Sequence, residues 1–360
     1  MAQLRVVLDQ LGPSSTSDLA DASRALVSAL AVTAPQGCTL EAIVPSGTAE
    51  PIEGVSSVRR LPLARRELAA AWQLGVTAGV GGGMIHSPTP LAPLVRHDRF
   101  NDHDQTVPTF WDLRAWEAPH LLPKGVVAGH RAMLRRAARH ADAVVVPSHA
   151  IAERLSDLAP LGDRIRVIAG APDPEIAAPL DAAARRRALG LPERYAAVSI
   201  CAEQWPDGLA AALAVVVAAG ADVVILDADE DGEHAVAARA VAAGLPAARV
   251  HVRGRQETPD RAALLGGAAV VLVADQTASW PWRAGEAMSL GIPVVAIDSA
   301  VHRDVIADGG RIVAEEDLAV AVEDALGDGA SRLAVLSADR SRAFSWPSAA
   351  EHVWALHADL

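Results

Sequence analysis

The sequence predicts an α/β protein built from two doubly wound domains, and three observations carry that expectation. Short runs of β-branched and aliphatic residues alternate with longer Ala-, Arg-, Glu- and Leu-rich segments, the pattern of βαβ units and a parallel sheet. The alternation runs through twice, on either side of a Pro/Asp/Gly cluster at Gly170 to Pro174. The chain has 360 residues, 51% of them hydrophobic but only 3% aromatic. That length allows two cores, and their interiors must be mainly Ala, Val and Leu, which suits parallel strands covered on both faces by Ala-rich helices.

In chain order, "LRVVLDQ" (Leu4 to Gln10) reads as the first strand. "SSTSDLADASRALVSALAV" supplies cap-type residues and then apolar positions at helical spacing. "TLEAIVP" is a second strand, and "GMIHSPTP", "TVPTFWD" and "ADAVVVPS" are three further strand ends that close on turn or polar residues. In the second half "YAAVSICA", "ADVVILDAD", "RVHVRGR", "AAVVLVAD" and "IPVVAID" are five apolar runs, separated by helical segments of crossover length. "FSWPSAAEHVWALHADL" reads as an amphipathic helix with Trp346, Val353, Trp354 and Leu356 available for packing. It either caps the second domain or returns towards the first. In open α/β sheets ligands gather at the carboxyl ends of the strands.

Composition excludes several classes. Cys38 and Cys201 are the only cysteines and fall in different halves, so no disulfide framework is expected and a reducing, cytoplasmic setting is the simpler reading. The start runs straight into a β-like stretch without the pattern of a secretory signal. No span approaches the roughly 20 apolar residues of a membrane helix. A formal net charge of -12, from 32 basic and 44 acidic residues, opposes binding to nucleic acid.

The run "EAMSLGIPVVA", Glu286 to Ala296, together with the two α/β halves, resembles the family-4 glycosyltransferases of the GT-B fold. "GMIHSPTPLAPL" is similar to the family's strand ending in His, and "VPTFWDLRAWEAPHLLP" to the loop after its next strand. "LRRAARHADAVVVPSHAIAERL" is similar to the family's helix, strand and Ser-containing turn, and "FSWPSAAEHVWAL" to its terminal crossover helix. The resemblance implies two Rossmann-like domains whose parallel sheets face an interdomain cleft. Residues 1–170 would form the acceptor side and 171–343 the donor side, with a helix over 344–360 packing back towards the first domain. It implies a nucleotide-sugar as substrate, no metal or other cofactor, and transfer with retention, in which the donor's own phosphate takes part.

The chemistry of such a site can be stated independently of the family. A diphosphate leaving group needs fixed positive charge or the backbone N–H groups of a helix N-terminus. The family motif pairs two glutamates eight positions apart, and the resemblance implies that the first contacts the sugar and the second the ribose. Glu286 matches the second, while Ala278 stands at the first and offers no side-chain hydrogen bond. The loop where the family places Arg and Lys reads "CAEQWPDGL", Cys201 to Leu209, with Glu203 and Asp207 and no base. Where the family has His-Asp this chain has Trp111 and Asp112.

The candidate donor residues are therefore Glu286, Arg283 and the backbone of Ala284, Gly285 and Ala287, with Arg253 and Arg255 as replacement cations. Glu286 is alternatively a first-turn acid favoured by the helix dipole. His86, Trp111 and Ser148 are placed on the acceptor side by the resemblance. Asp112 is the catalytic-side candidate, positioning an acceptor hydroxyl or capping the following turn. Trp280 and Trp282 either stack on a base or sugar or only pack the seam between the domains. "DADED", Asp227 to Asp231, reads as a solvated loop, and no pair of histidines has zinc-ligand spacing, so no metal site is expected. Arg131, Arg135 and Arg139 lie at i, i+4, i+8 on one helix face, either solvated or touching an anionic membrane surface or acceptor. Two functions follow. One is a hexosyltransferase-type enzyme acting on an acceptor the sequence does not specify. The other is a catalytically silent GT-B scaffold that binds a nucleotide or a protein partner.

Overall fold

The computed structural model describes residues 2–11, 17–48, 52–98, 103–200, 205–228 and 232–360. It divides into two compact units: Met1–Ala171 with Thr277–Trp280 and Phe344–Leu360, and Pro172–Gln276 with Pro281–Ala343. The second unit is therefore not one continuous range, as the sequence suggested, because the four residues Thr277–Trp280 belong to the first.

In the first unit the chain runs β1 (Ala2–Val7), α1 (Asp18–Val32), β2 (Cys38–Val44), β3 (Ser57–Arg60), α2 (Arg65–Gln73), β4 (Met84–Ser87) and β5 (Gln105–Pro108). It continues through α3 (Arg114–Glu117), α4 (Lys124–His140), β6 (Val144–Val146), α5 (His149–Leu158) and β7 (Ile165–Val167). The cap residues do what their chemistry predicts: Ser17 accepts from the backbone of Ala20 to start α1, and Ser148 accepts from Ile151 to start α5. The strands are parallel in the order β3-β2-β1-β4-β5. A parallel bridge from Thr109 to Val145 carries the sheet on to the β6-β7 pair.

The second unit runs α6 (Ala182–Ala188), β8 (Tyr195–Ser199), α7 (Asp207–Ala218), β9 (Asp222–Ala228), α8 (Glu233–Ala242), β10 (Val250–Gly254) and α9 (Thr258–Leu265). Then come β11 (Val270–Val273), α10 (Trp282–Ser289), β12 (Val294–Ile297), α11 (Ala300–Val305), β13 (Arg311–Val313), α12 (Leu318–Leu326) and α13 (Ala330–Ser341). Its parallel sheet has the order β10-β9-β8-β11-β12-β13. Ala, Val, Leu and Ile side chains such as Val198, Leu213, Ile225, Leu272, Val295 and Val322 fill its core. The last helix, α14 (Trp346–Asp359), belongs to the first unit, packs on α1, and donates from the Trp354 indole to the carbonyl of Leu30 at 3.1 Å.

Each sheet reverses its winding once, between β1 and β4 in the first unit and between β8 and β11 in the second. At such a switch point neighbouring connections leave in opposite directions and open a crevice at the strand carboxyl ends. Among the described residues no helix is long and apolar enough to cross a membrane.

Candidate functional site

In the second unit, residues of α9 and α10 and the end of β9 form a largely buried chain of charge. Helix α10 follows β11, and its Glu286, only 3% exposed, accepts from Arg261 Nε at 2.9 Å through Oε1 and from Arg283 Nη1 at 2.7 Å through Oε2. Arg283 in turn grips Asp227 with two bonds, Nε to Oδ2 at 2.6 Å and Nη2 to Oδ1 at 3.2 Å. Arg261 also donates to the Gln256 carbonyl and lies 3.6 Å from Asp173. A buried ion costs several kcal/mol of desolvation unless it is well paired, so Glu286, Arg261 and Arg283 depend on one another for burial.

Those contacts change the expected roles. Each oxygen of Glu286, the residue expected at the ribose, accepts from a guanidinium, and the side chain is enclosed, which fixes the position of Arg283. The helix backbone is also narrower as an anion donor than expected. Gly285 N–H donates to Pro281 at 3.1 Å, and Ala287 lies deeper still in the ladder, so only the first-turn groups of Trp282, Arg283 and Ala284 lie outside it. Arg253 is spent on the carbonyls of Leu189, Gly190 and Val252, and Arg255 stands half-buried just past β10. At the N-terminus of α7, the Glu315 carboxylate accepts the Gly208 N–H at 2.8 Å. Of the "DADED" run, Asp227 is not solvated loop but the paired acid of β9. Its last three residues, Asp229, Glu230 and Asp231, lie outside the described residues, as do Cys201 to Gln204, the first part of the base-free loop.

In the first unit a polar group spans the switch point. Asp9 follows β1 and is 1% exposed, and its Oδ1 accepts from Thr89 Oγ1 at 2.7 Å, just past β4. Its Oδ2 accepts from Arg65 Nε at 3.1 Å. Burial pushes the Asp9 carboxyl above the usual range, and the charge of Arg65 and the Thr89 hydroxyl only partly offset it. Asp112 accepts from the backbone and side chain of Arg114. Burial pushes it up, but Arg114 more than compensates and holds it below the ordinary carboxylate value. His130 on α4 stands in the field of both acids, kept below its usual value mainly by burial, and its Nδ1 has no hydrogen-bond partner among the described residues. Sequence reading missed Asp9, Thr89 and His130. The available signal was an acid closing the first strand, at the edge where ligands collect.

The other acceptor-side candidates, His86, Trp111 and Ser148, are enclosed. His86 is 1% exposed, with its ring 5.6 Å from that of His357 on α14. Trp111 donates to the Pro88 carbonyl at 2.7 Å and packs edge-on against Trp280 and Trp346. Trp280 meets Phe344 in the same cluster, so its role is packing. Ser148 is the cap of α5. The Arg131, Arg135 and Arg139 row is split, since Arg131 turns in to the Ala115 carbonyl at 3.0 Å while Arg135 and Arg139 stay exposed. Among the described residues no three metal-ligating side chains come together.

Residues 190–330 match the family model "Glycosyl transferases group 1". Similar solved structures include sucrose-phosphate synthase from Thermosynechococcus elongatus, 18% identical, with a TM-score of 0.69 over 100% of this chain and 99% of that one. HepE from Anabaena, in complex with UDP and glucose, is 14% identical with a TM-score of 0.68, covering 100% of both chains. WaaG, a glycosyltransferase involved in lipopolysaccharide biosynthesis, is 14% identical with a TM-score of 0.66 over 97% and 98%. The chain has the GT-B fold of these proteins. No curated protein matches the sequence.

Proposed function

We propose that the chain transfers a sugar from a nucleotide-sugar, held by its second unit, to an acceptor held by its first. The observation that carries this reading is the match of residues 190–330 to the glycosyltransferase model, a range that contains β8 to β13 and α10. Arg283 and the first-turn N–H groups of α10 would meet the diphosphate, where charge develops as the glycosidic bond breaks. Glu286 and Arg261 would hold that guanidinium in place. Asp9 and Asp112 stand ready for acceptor hydroxyls. The reading is of a retaining transfer assisted by the donor's own phosphate, without a metal, in the reducing cytoplasm that the free thiol of Cys38 suits.

A second reading, a silent scaffold, is favoured by one observation: Glu286 is enclosed by two arginines and Ala278 replaces the other motif acid. Calorimetric titration with UDP-, GDP- and ADP-sugars beside the bare nucleotides separates the two. Saturable binding of one sugar nucleotide, tighter than its bare nucleotide, supports transfer. No binding across the panel overturns it in favour of the scaffold.

A further inference from the structure

The carboxyl end of β9 departs from regular geometry at one place. The register with β10 pairs Val252 with Ile225 but Gly254 with Ala228, so Leu226 and Asp227 stand opposite Arg253 alone. This is a bulge, a device that re-aims a side chain and is common beside functional sites. Asp227 within it has φ 57, the left-handed region that a non-glycine residue enters at a cost, though Asp and Asn tolerate it best. The bulge turns the Asp227 carboxylate onto the Arg283 guanidinium with the two bonds described above.

Among the described residues, Arg261 and Arg283 face three carboxylates, those of Glu286, Asp173 and Asp227. Glu286 and Asp173 have side chains 4% and 14% exposed, whereas Asp227 is 31% exposed and is the most open of the three. A guanidinium fork that binds a carboxylate through two parallel bonds also fits two oxygens of a phosphate.

We propose that Asp227 is a displaceable internal counter-ion, occupying on Arg283 the place that the diphosphate of a ligand takes. The identity of that anion rests on the proposed function; the anion site itself does not. Ligand binding then releases a bulged, left-handed residue, and the affinity measured is the phosphate's advantage over an attached carboxylate.

Asp227→Asn tests this, because asparagine keeps the shape and tolerates the same φ while removing the charge. Inorganic pyrophosphate is titrated calorimetrically into wild type and variant at two salt concentrations, with thermal unfolding of each as a control on folding. The expected result is pyrophosphate binding about tenfold tighter in the variant, the size of one charge-assisted contact, and weakened by salt. Adding Arg283→Gln to Asp227→Asn should abolish the gain. Equal or weaker binding by a folded Asp227→Asn variant overturns the proposal, as does a gain that survives Arg283→Gln. Sugar nucleotides run in the same titrations keep the two readings apart: a pyrophosphate gain without sugar-nucleotide binding leaves the anion site standing and removes the transferase, and the converse removes only the counter-ion.

Discussion

The carboxylate of Glu117 accepts the backbone N–H of Ala278 at 2.7 Å. On either side, Leu113 N–H donates to the Ala278 carbonyl at 2.8 Å and Trp280 N–H to the Trp111 carbonyl at 3.0 Å. The motif position that lacks its acid is thus tied into the first unit with its side chain buried. Ala278→Glu should place a second carboxylate near Glu117 and lower stability by about 1–3 kcal/mol. Thermal unfolding reads the loss, and Glu117→Gln in the same chain should return part of it. A variant as stable as wild type would show that the position has room for the family's acid.

Removing Glu286 should leave Arg261 and Arg283, with side chains 5% and 3% exposed, short of a buried partner. Glu286→Ala is expected to cost about 3–5 kcal/mol in urea unfolding. A ribose ligand with no structural duty would instead lose nucleotide affinity at unchanged stability.

Acid should weaken the docking of α14. Burial holds His357 at about 4, against 6.5 for a free histidine, and holds its neighbour His86 well below that value through burial and the His357 charge. The folded values lie below the unfolded one, so between pH 6.5 and 4 the unfolded chain binds more protons and stability falls as pH falls. For His357 the full effect is about 3 kcal/mol. Unfolding midpoints from pH 7 to 4 should drop for wild type and flatten for His357→Phe.

Gly170→Ala should disturb the indole cluster, because an added Cβ would lie 2.6 Å from the Trp111 ring. Overpacking of that kind costs about 1–3 kcal/mol. Near-ultraviolet circular dichroism and tryptophan emission should both change, and unaltered spectra at wild-type stability would show that the ring can move aside.

The strands that sequence reading found are mostly interior ones, β10 being an edge strand that was also found. All five apolar runs of the second half became β8 to β12, since strands covered on both faces read as continuous apolar stretches. β3, β7 and β13 were missed, and each lies at the edge of its sheet with a largely exposed or half-buried pattern and arginine in it. Arg283 was found because it sits inside a motif. Arg261 was not, because its meeting with Glu286 depends on α9 packing beside α10, a contact between positions 25 apart that no local pattern records. Asp227 is exposed, as read, but its pairing with Arg283 was not foreseen, since a bulge leaves no mark in composition.

The backbone passes between the two units four times, at 171/172, 276/277, 280/281 and 343/344. A chimera that exchanges the second unit with that of another GT-B protein cannot therefore be made with a single junction. A graft of 172–343 would carry Thr277–Trp280 away with it, and the recipient would have to supply a foreign segment to Trp111 and Glu117. Recombination that preserves both cores needs junctions on either side of that four-residue insert, so a single crossover between such chains would break one core or the other.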